Sequence, residues 1–557
     1  GTPSRLIFLM SRSRREFVKL ASTATAATAA SIVWPTRAIA GLNPAHSVLA
    51  ALGIEDRVGF DPGELAALAL DAARAAGASF ADVRIDRQIA QGVSLRNVNG
   101  GSVGYNDNVG IGVRVIADGQ WGFVSSDSTT PDAVADAARR AVHQAQVNAK
   151  ARTTPIALAP LPAVADGRWV TPVVVDPFGV AVGEQQEALL AGTKAALALS
   201  GIKEVLAGVT FMRVERLFAS TDGSRIAQTF SRAFPNASVR GTVAGELAMA
   251  TTAPKGFDWA AGGYEVVRDA KLAETMRAAA EEALRESQGM LGATAPRSVD
   301  VGRYELVVGP GMMWGLVNGT ILAALGMERA LGKRAGAEGT TYAAPPDKAM
   351  GTMQMGAPFL TVRGERSAVG GLMTVGWDDE GVKPDDVTFV EHGTLVDYLA
   401  MREDATALAP WYATRGMPAH AHGVAATGRW SVPNETTPNI TVDPGVAAVS
   451  TEDLIRDVKH GLYFPDGGAS ADFAMQNAYG TGSGAQEIRN GKLVGHVKDA
   501  AIQFQTQTFW KGLLAIGGPG SSESFVDGFP ALFACRTVRS VPARFRDVNV
   551  VNTGRTQ

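Results

Sequence analysis

His420 and His422 stand two residues apart. On a strand that spacing turns both imidazoles to one side, where they could share a metal ion. They lie in a Gly/Ala/Pro-rich stretch, Gly416 to Gly423, that reads as a loop. No third ligand stands beside them in the sequence, so surface or hydrogen-bonded histidines are the competing reading. The run Asp378-Asp379-Glu380 ahead of Gly381 offers carboxylates to a calcium ion, or is simply a solvated turn. Cys535, the single cysteine, closes an apolar run from Phe529 and reads as a buried small hydrophobe. One thiol cannot form an intramolecular disulfide, so stability has to come from the core. The chain has no His-Glu-x-x-His pair to hold zinc beside a general base, and no Gly-x-Ser-x-Gly elbow to expose a nucleophile.

The element around which the second half is arranged runs from Val301 to Gly332. An apolar strand, Tyr304 to Val308, breaks at Gly309-Pro310-Gly311. Met313, Leu316, Val317, Ile321, Leu322 and Leu325 then recur at the spacing of a buried helix face, predicting a helix over 312–326. Glu328-Arg329 and Gly332 supply a charged last turn and a stop. This layout resembles the TldD/PmbA family, once called modulators of DNA gyrase, whose active members are zinc peptidases. In those members the equivalent helix carries His-Glu-x-x-x-His. Here the same frame reads Asn318-Gly319-Thr320-Ile321-Leu322-Ala323. Asn318 is a poor zinc ligand, Gly319 has no side chain and Ala323 cannot coordinate, so no catalytic set is expected and no zinc cofactor. The resemblance places Asn318, Thr320, Glu328 and Arg329 along the substrate cleft. It also implies a zinc-ligating cysteine loop in the C-terminal half, but the residues around Cys535 lack that loop and the role is not transferred.

The rest of the chain supplies the scaffold. Basic and acidic residues nearly balance, 52 against 55 for a net charge of −3, which gives nucleic-acid binding no electrostatic support. The 63 glycines and 27 prolines favour a turn-rich, strand-rich architecture. Ser13-Arg14-Arg15-Glu16-Phe17-Val18-Lys19 resembles a twin-arginine export signal. A modestly apolar stretch, Leu20 to Trp34, and the small residues Ala38 and Ala40 follow it. Residues 1–40 are therefore expected to be a signal peptide, with Met10 as the start, and the mature chain to be periplasmic or secreted. The apolar stretch is too short and weak to span a membrane comfortably.

From Asp61 the pattern is helix, strands, helix. Asp61-Pro62 begins a helix that Gly77 ends. Strands follow over Phe80–Ile89, 93–98, Val109–Ile116 and 121–124, and Thr130-Pro131 opens a second helix. Gly110 and Gly112 read as sheet positions rather than a phosphate loop. A helix from Val182, a hairpin turning at Thr221-Asp222-Gly223-Ser224 and a helix over 269–288 complete this half. This order of pieces is similar to the amino-terminal domain of TldD/PmbA proteins. The turn at Asp378–Gly381, the segment Asn434–Gly445 and the closing strand Val541–Val548 resemble the family's second half. The fold class expected is α+β: a helix-flanked antiparallel sheet domain over residues 60–295 and a β-rich domain over 296–550 around the central helix.

Three readings follow. The first is a non-catalytic subunit paired with a zinc-bearing TldD-like subunit in a peptide-processing heterodimer, or with itself as a homodimer. The second is a metallopeptidase with a rearranged metal site through His420 and His422. The third is a peptide-binding scaffold without catalysis.

Overall fold

The alternation of apolar residues along the first half builds one sheet with a helical face. The computed structural model describes residues 61–152, 154–243, 248–292 and 296–554; the twin-arginine segment lies outside them. Helix α1 (Pro62–Ala75) starts on the Asp61 carboxylate, which accepts the Glu64 amide at 2.8 Å. Strands β1 (Phe80–Arg96), β2 (Asn99–Ala117) and β3 (Gln120–Ser126) follow, then helix α2 (Pro131–Ala149). After β4 (Gly167–Val170) and α3 (Val182–Leu197) come β5 (Ile202–Ser220), β6 (Arg225–Val243) and α4 (Leu272–Gly292). The two strands expected over 80–98 are a single long one. Val83, Ile85, Ile89 and Val93 keep one alternation through it, and pairing with β5 runs without a break from Asp82 to Arg96.

Among the described residues these six strands, in the order β3-β2-β1-β5-β6-β4, form an eight-stranded sheet with two short strands, Ala248–Thr252 and Ala260–Ala261, that also pair with β6; it is antiparallel except for the β4–β6 pair. Gly110 and Gly112 sit inside the β1–β2 ladder, opposite Asp86 and Arg84. One face of the sheet packs on helices. Val83, Ile85, Val113 and Val115 meet α1 and α2, and Ile89, Val93, Val209 and Phe211 meet α3 and α4. The other face is the unusual one. It presents Asp82, Arg84, Asp86 and Arg216, all nearly inaccessible to water.

The second half covers that polar face. Strand β7 (Gly302–Val308) lies in a ten-stranded sheet between β8 (His460–Phe464), parallel to it, and β10 (Ala543–Asn552), antiparallel. Helix α5 (Pro310–Leu316) leaves β7 and packs on β9 (Asp466–Ala471), which forms the sheet's edge. A six-stranded sheet includes Val362–Glu365, Val387–Glu391 and Asn439–Val442. The α+β class is borne out, with antiparallel pairing dominating both halves. No helix among the described residues is long and apolar enough to cross a membrane.

The expected helix over 312–326 is not one regular helix. α5 ends at Leu316, a π turn spans Val317–Ile321, and a short 3₁₀ turn spans Leu322–Ala324. Its apolar face is buried as the spacing predicts, with Met313, Leu316, Val317, Ile321, Leu322 and Leu325 all at 2% exposure or less. The periodicity reads which face is inside, but it does not register the local widening.

Candidate functional site

The π turn has identifiable causes. Thr320 is inaccessible to water, and its hydroxyl donates back to the Leu316 carbonyl at 2.6 Å. Such back-bonding bends helices. The Thr320 carbonyl accepts the Tyr342 hydroxyl at 3.0 Å, and its Oγ1 accepts the Trp510 indole N–H at 2.9 Å. Trp510 lies on helix α6 (Thr506–Lys511) and is itself fully buried. Thr320 therefore lies in the core and does not face a cleft.

Gly315 and Gly319, one turn apart, let the helix lie directly on the backbone of β9. A Cβ on Gly315 would come within 2.2 Å of the Gly467 carbonyl oxygen, and one on Gly319 within 1.9 Å of that of Ala469. Real Cβ atoms do not approach so closely, so position 319 excludes any side chain while β9 stays where it is. Asn318 is partly buried and Ala323 is exposed. Zinc does not fit here: two of the three residues can offer no ligand atom, and the space for a glutamate beside the first is filled by main chain.

Just beyond, Ala323, Glu328 and Arg329 line a pocket of about 180 Å³ with Arg334, Glu338 and Glu435. Its charges are paired among themselves: Arg334 bridges Glu328 and Glu338, and Arg329 donates to the Glu338 carbonyl. Burial, reinforced by Asp404 and Glu328, pushes the Glu435 carboxyl well above its ordinary range, although the Met327 amide donates to it at 3.0 Å. Of the residues assigned to a cleft, Glu328 and Arg329 line this pocket.

A second cluster forms where Gly416–Gly423 lies over Val382–Asp386. Gly423, at φ +68°, meets Pro384 closely enough that a Cβ would fall 2.6 Å from its Cα. The contact places Asp385 beside the two histidines. His422 Nδ1 is 3.0 Å from Asp385 Oδ1, and His420 Nε2 is 3.6 Å from Asp385 Oδ2. The imidazoles stand edge to face with centroids 4.9 Å apart. His422 Nε2 faces Asp397 Oδ2 at 3.2 Å, and the Tyr412 hydroxyl donates to the same carboxylate at 3.1 Å. Burial alone would lower the basicity of His422, but Asp385 and Asp397 outweigh it and push the imidazole up to about 10. Against the effect of burial, its contacts with His420 and His422 hold Asp385 well below the usual carboxylate range. Among the described residues, Asp385, His420 and His422 form a group of potential metal ligands whose atoms lie within 4.8 Å of one another. Asp385 is the third member that reasoning from the sequence missed. It lies 37 residues from His422, in the shadow of the Asp378–Glu380 run, and spacing carries no signal across such a loop closure.

The Asp378–Glu380 run is neither solvated nor a calcium site. All three side chains are at most 3% exposed; Asp379 and Glu380 reach the polar face of the first sheet, while Asp378 accepts the Glu380, Val382 and Ala425 amides. Arg84 donates to Asp379 at 3.1 Å and Arg216 donates to its other oxygen. Arg216 also clasps Asp86 with two bonds of 2.7 Å. Arg114 donates to Asp82 at 2.8 and 2.6 Å and to Glu380 at 3.0 Å. The Thr427 and Gly428 amides complete Asp379 at 2.8 Å each. Burial would raise the Asp379 carboxyl, but Arg216 and Arg84 win and hold it below its ordinary value. Cys535 is buried, and the apolar surroundings push its thiol up to about 11, as suits a packing residue.

Residues 301–526 match the PmbA/TldA metallopeptidase C-terminal domain, and residues 81–145 match PmbA/TldA metallopeptidase domain 1. The chain is 22% identical over 424 residues to a metalloprotease of Methanocaldococcus jannaschii, covering 76% of this chain and 86% of that one. It is also 22% identical over 454 residues to a metalloprotease of Methanothermobacter thermautotrophicus, covering 79% and 88%. Its fold is similar to the crystal structure of TldE from Thermococcus kodakarensis, with a TM-score of 0.63 at 17% identity over 87% of this chain and 99% of that one.

Proposed function

The chain belongs to the PmbA/TldD metallopeptidase family, and from that premise we propose that it is the ligand-free subunit of a peptide-processing complex. Its partner is a zinc-bearing member of the same family, and it acts in the compartment to which the Ser13–Lys19 segment directs it. One observation carries the reading. Where the family's zinc helix has its glutamate, this chain has Gly319 pressed against the Ala469 carbonyl. A catalytic glutamate is thus excluded by main chain as well as missing from the sequence. Such a subunit contributes walls and peptide contacts to a chamber, and the partner supplies the zinc-bound water.

The test mixes the purified chain with a zinc-bearing family member from the same compartment. A stable complex is expected, with peptide hydrolysis that needs the partner and stops on chelation. Hydrolysis by this chain alone, at the rate of the mixture, would overturn the proposal. A second reading, a peptidase working from a rearranged metal site, is favoured by the approach of Asp385 to His420 and His422. It requires hydrolysis by the chain alone that His420→Ala abolishes.

A further inference from the structure

We propose that Asp385, His420 and His422 bind one divalent cation of the zinc class, at a site separate from the Asn318 helix. Three features of the geometry support this. The first is convergence: ligand atoms from the three residues lie within 4.8 Å of one another, with approaches of 3.0 and 3.6 Å. An ion bound at about 2.0–2.1 Å from nitrogen and oxygen ligands holds them only slightly over 3 Å apart, so small side-chain rotations suffice.

The second feature is the outer shell. Metal-bound histidines almost always give their remaining ring N–H to a carboxylate or a carbonyl, which fixes the tautomer and aims the ligand nitrogen. Both histidines have that partner. His422 Nε2 faces Asp397 at 3.2 Å, and His420 Nδ1 faces the Pro418 carbonyl at 3.2 Å. The Tyr412 hydroxyl in turn holds Asp397, at 3.1 Å. The third is access. His422 is 3% exposed, whereas the side chains of His420 and Asp385 are 31% and 47% exposed, so the cluster is anchored on its inner side and open on its outer one.

Binding exchanges a proton for the ion. The N–H that His422 Nδ1 directs at Asp385 is released to solvent, and both atoms turn their lone pairs to the metal. Two imidazoles and one carboxylate suit zinc or a similar first-row ion and leave a coordination position for water. The inference is independent of the subunit reading, because an ion here leaves the Asn318 helix without ligands.

The test titrates the chelator-stripped full chain with Zn²⁺ by calorimetry and with Co²⁺ by visible absorption. One ion per chain is expected, with the ligand-field bands of a nitrogen- and oxygen-bound cobalt. His420→Ala, at a part-exposed position, should weaken binding at least tenfold while the metal-free chain melts at an unchanged temperature. Asp397→Asn should weaken it by about 10–100-fold with the stoichiometry kept, the signature of an outer-shell partner. Absence of saturable binding in the wild-type chain, or equal affinity in His420→Ala, overturns the site and leaves the subunit proposal standing. Binding without hydrolysis supports both.

Discussion

Thr320 illustrates how much one side chain settles at this locus. The family resemblance leads one to expect it along a substrate cleft, yet its hydroxyl and carbonyl serve Leu316, Trp510 and Tyr342 in the core. Thr320→Val keeps the shape but leaves the Trp510 indole N–H without an acceptor. A cost of about 1–3 kcal/mol is expected, the desolvation penalty of a stranded donor. Thr320→Ser should lose much less, since it keeps the hydroxyl. Urea unfolding of the two variants makes the comparison, and a smaller loss in Thr320→Val than in Thr320→Ser would show that the methyl packing matters and the hydrogen bond does not.

The 310–324 helical element is defined by its seat on β9 as much as by its own sequence. Two glycines at i and i+4 bring the helix against a strand backbone, and that closeness, which leaves no room for a side chain at position 319, is the main support for the ligand-free proposal. Gly319→Ala is expected to destabilise the fold by about 1–3 kcal/mol or more, because a methyl must push main chain rather than a flexible side chain. Grafting the family motif tests the same idea more sharply. In a His420→Ala background, Asn318→His, Gly319→Glu and Ala323→His together should yield a chain with a lowered melting temperature and no stoichiometric zinc. A stably folded graft holding one zinc would show that β9 yields easily, and the ligand-free proposal would lose its main support.

At the scale of the whole molecule, the two halves are joined by a buried ionic layer. Buried ion pairs contribute little net stability when intact, but removing one partner strands the other's charge. Asp379→Asn leaves Arg84 and Arg216 undercompensated away from water, and a loss of about 3–5 kcal/mol is expected by thermal or denaturant unfolding. The loss should appear in a single transition shared by both halves, monitored for example by tryptophans of each. Two separated transitions in the wild-type protein would mean that the layer does not couple them. The pH dependence has a definite sign. Asp379 is held below its ordinary carboxylate value, so its contribution is present above about pH 4 and is lost as the pH falls below that.

What could be read from the sequence alone was everything that repeats or is local. The α+β class, the helix begun at Asp61-Pro62, the hairpin at Thr221–Ser224 and the buried face of 312–326 all follow from periodicity, capping or turn residues in one stretch. Tertiary structure decided what depends on contacts between distant stretches. Alternation in β1 separates an apolar face from a charged one, but the same pattern serves a solvated face and a dry ionic interface. Only the arrival of Asp379, nearly 300 residues after Arg84, distinguishes them. Besides the local back-bond of Thr320, the π turn is held by the Tyr342 hydroxyl and the Trp510 indole, brought from elsewhere in the chain. Asp385 joins His420 and His422 only because Gly423 lets its loop close on Pro384. A histidine pair two residues apart can be seen in the sequence, but the carboxylate that makes it a candidate metal site is placed by loop packing, to which residue spacing is blind.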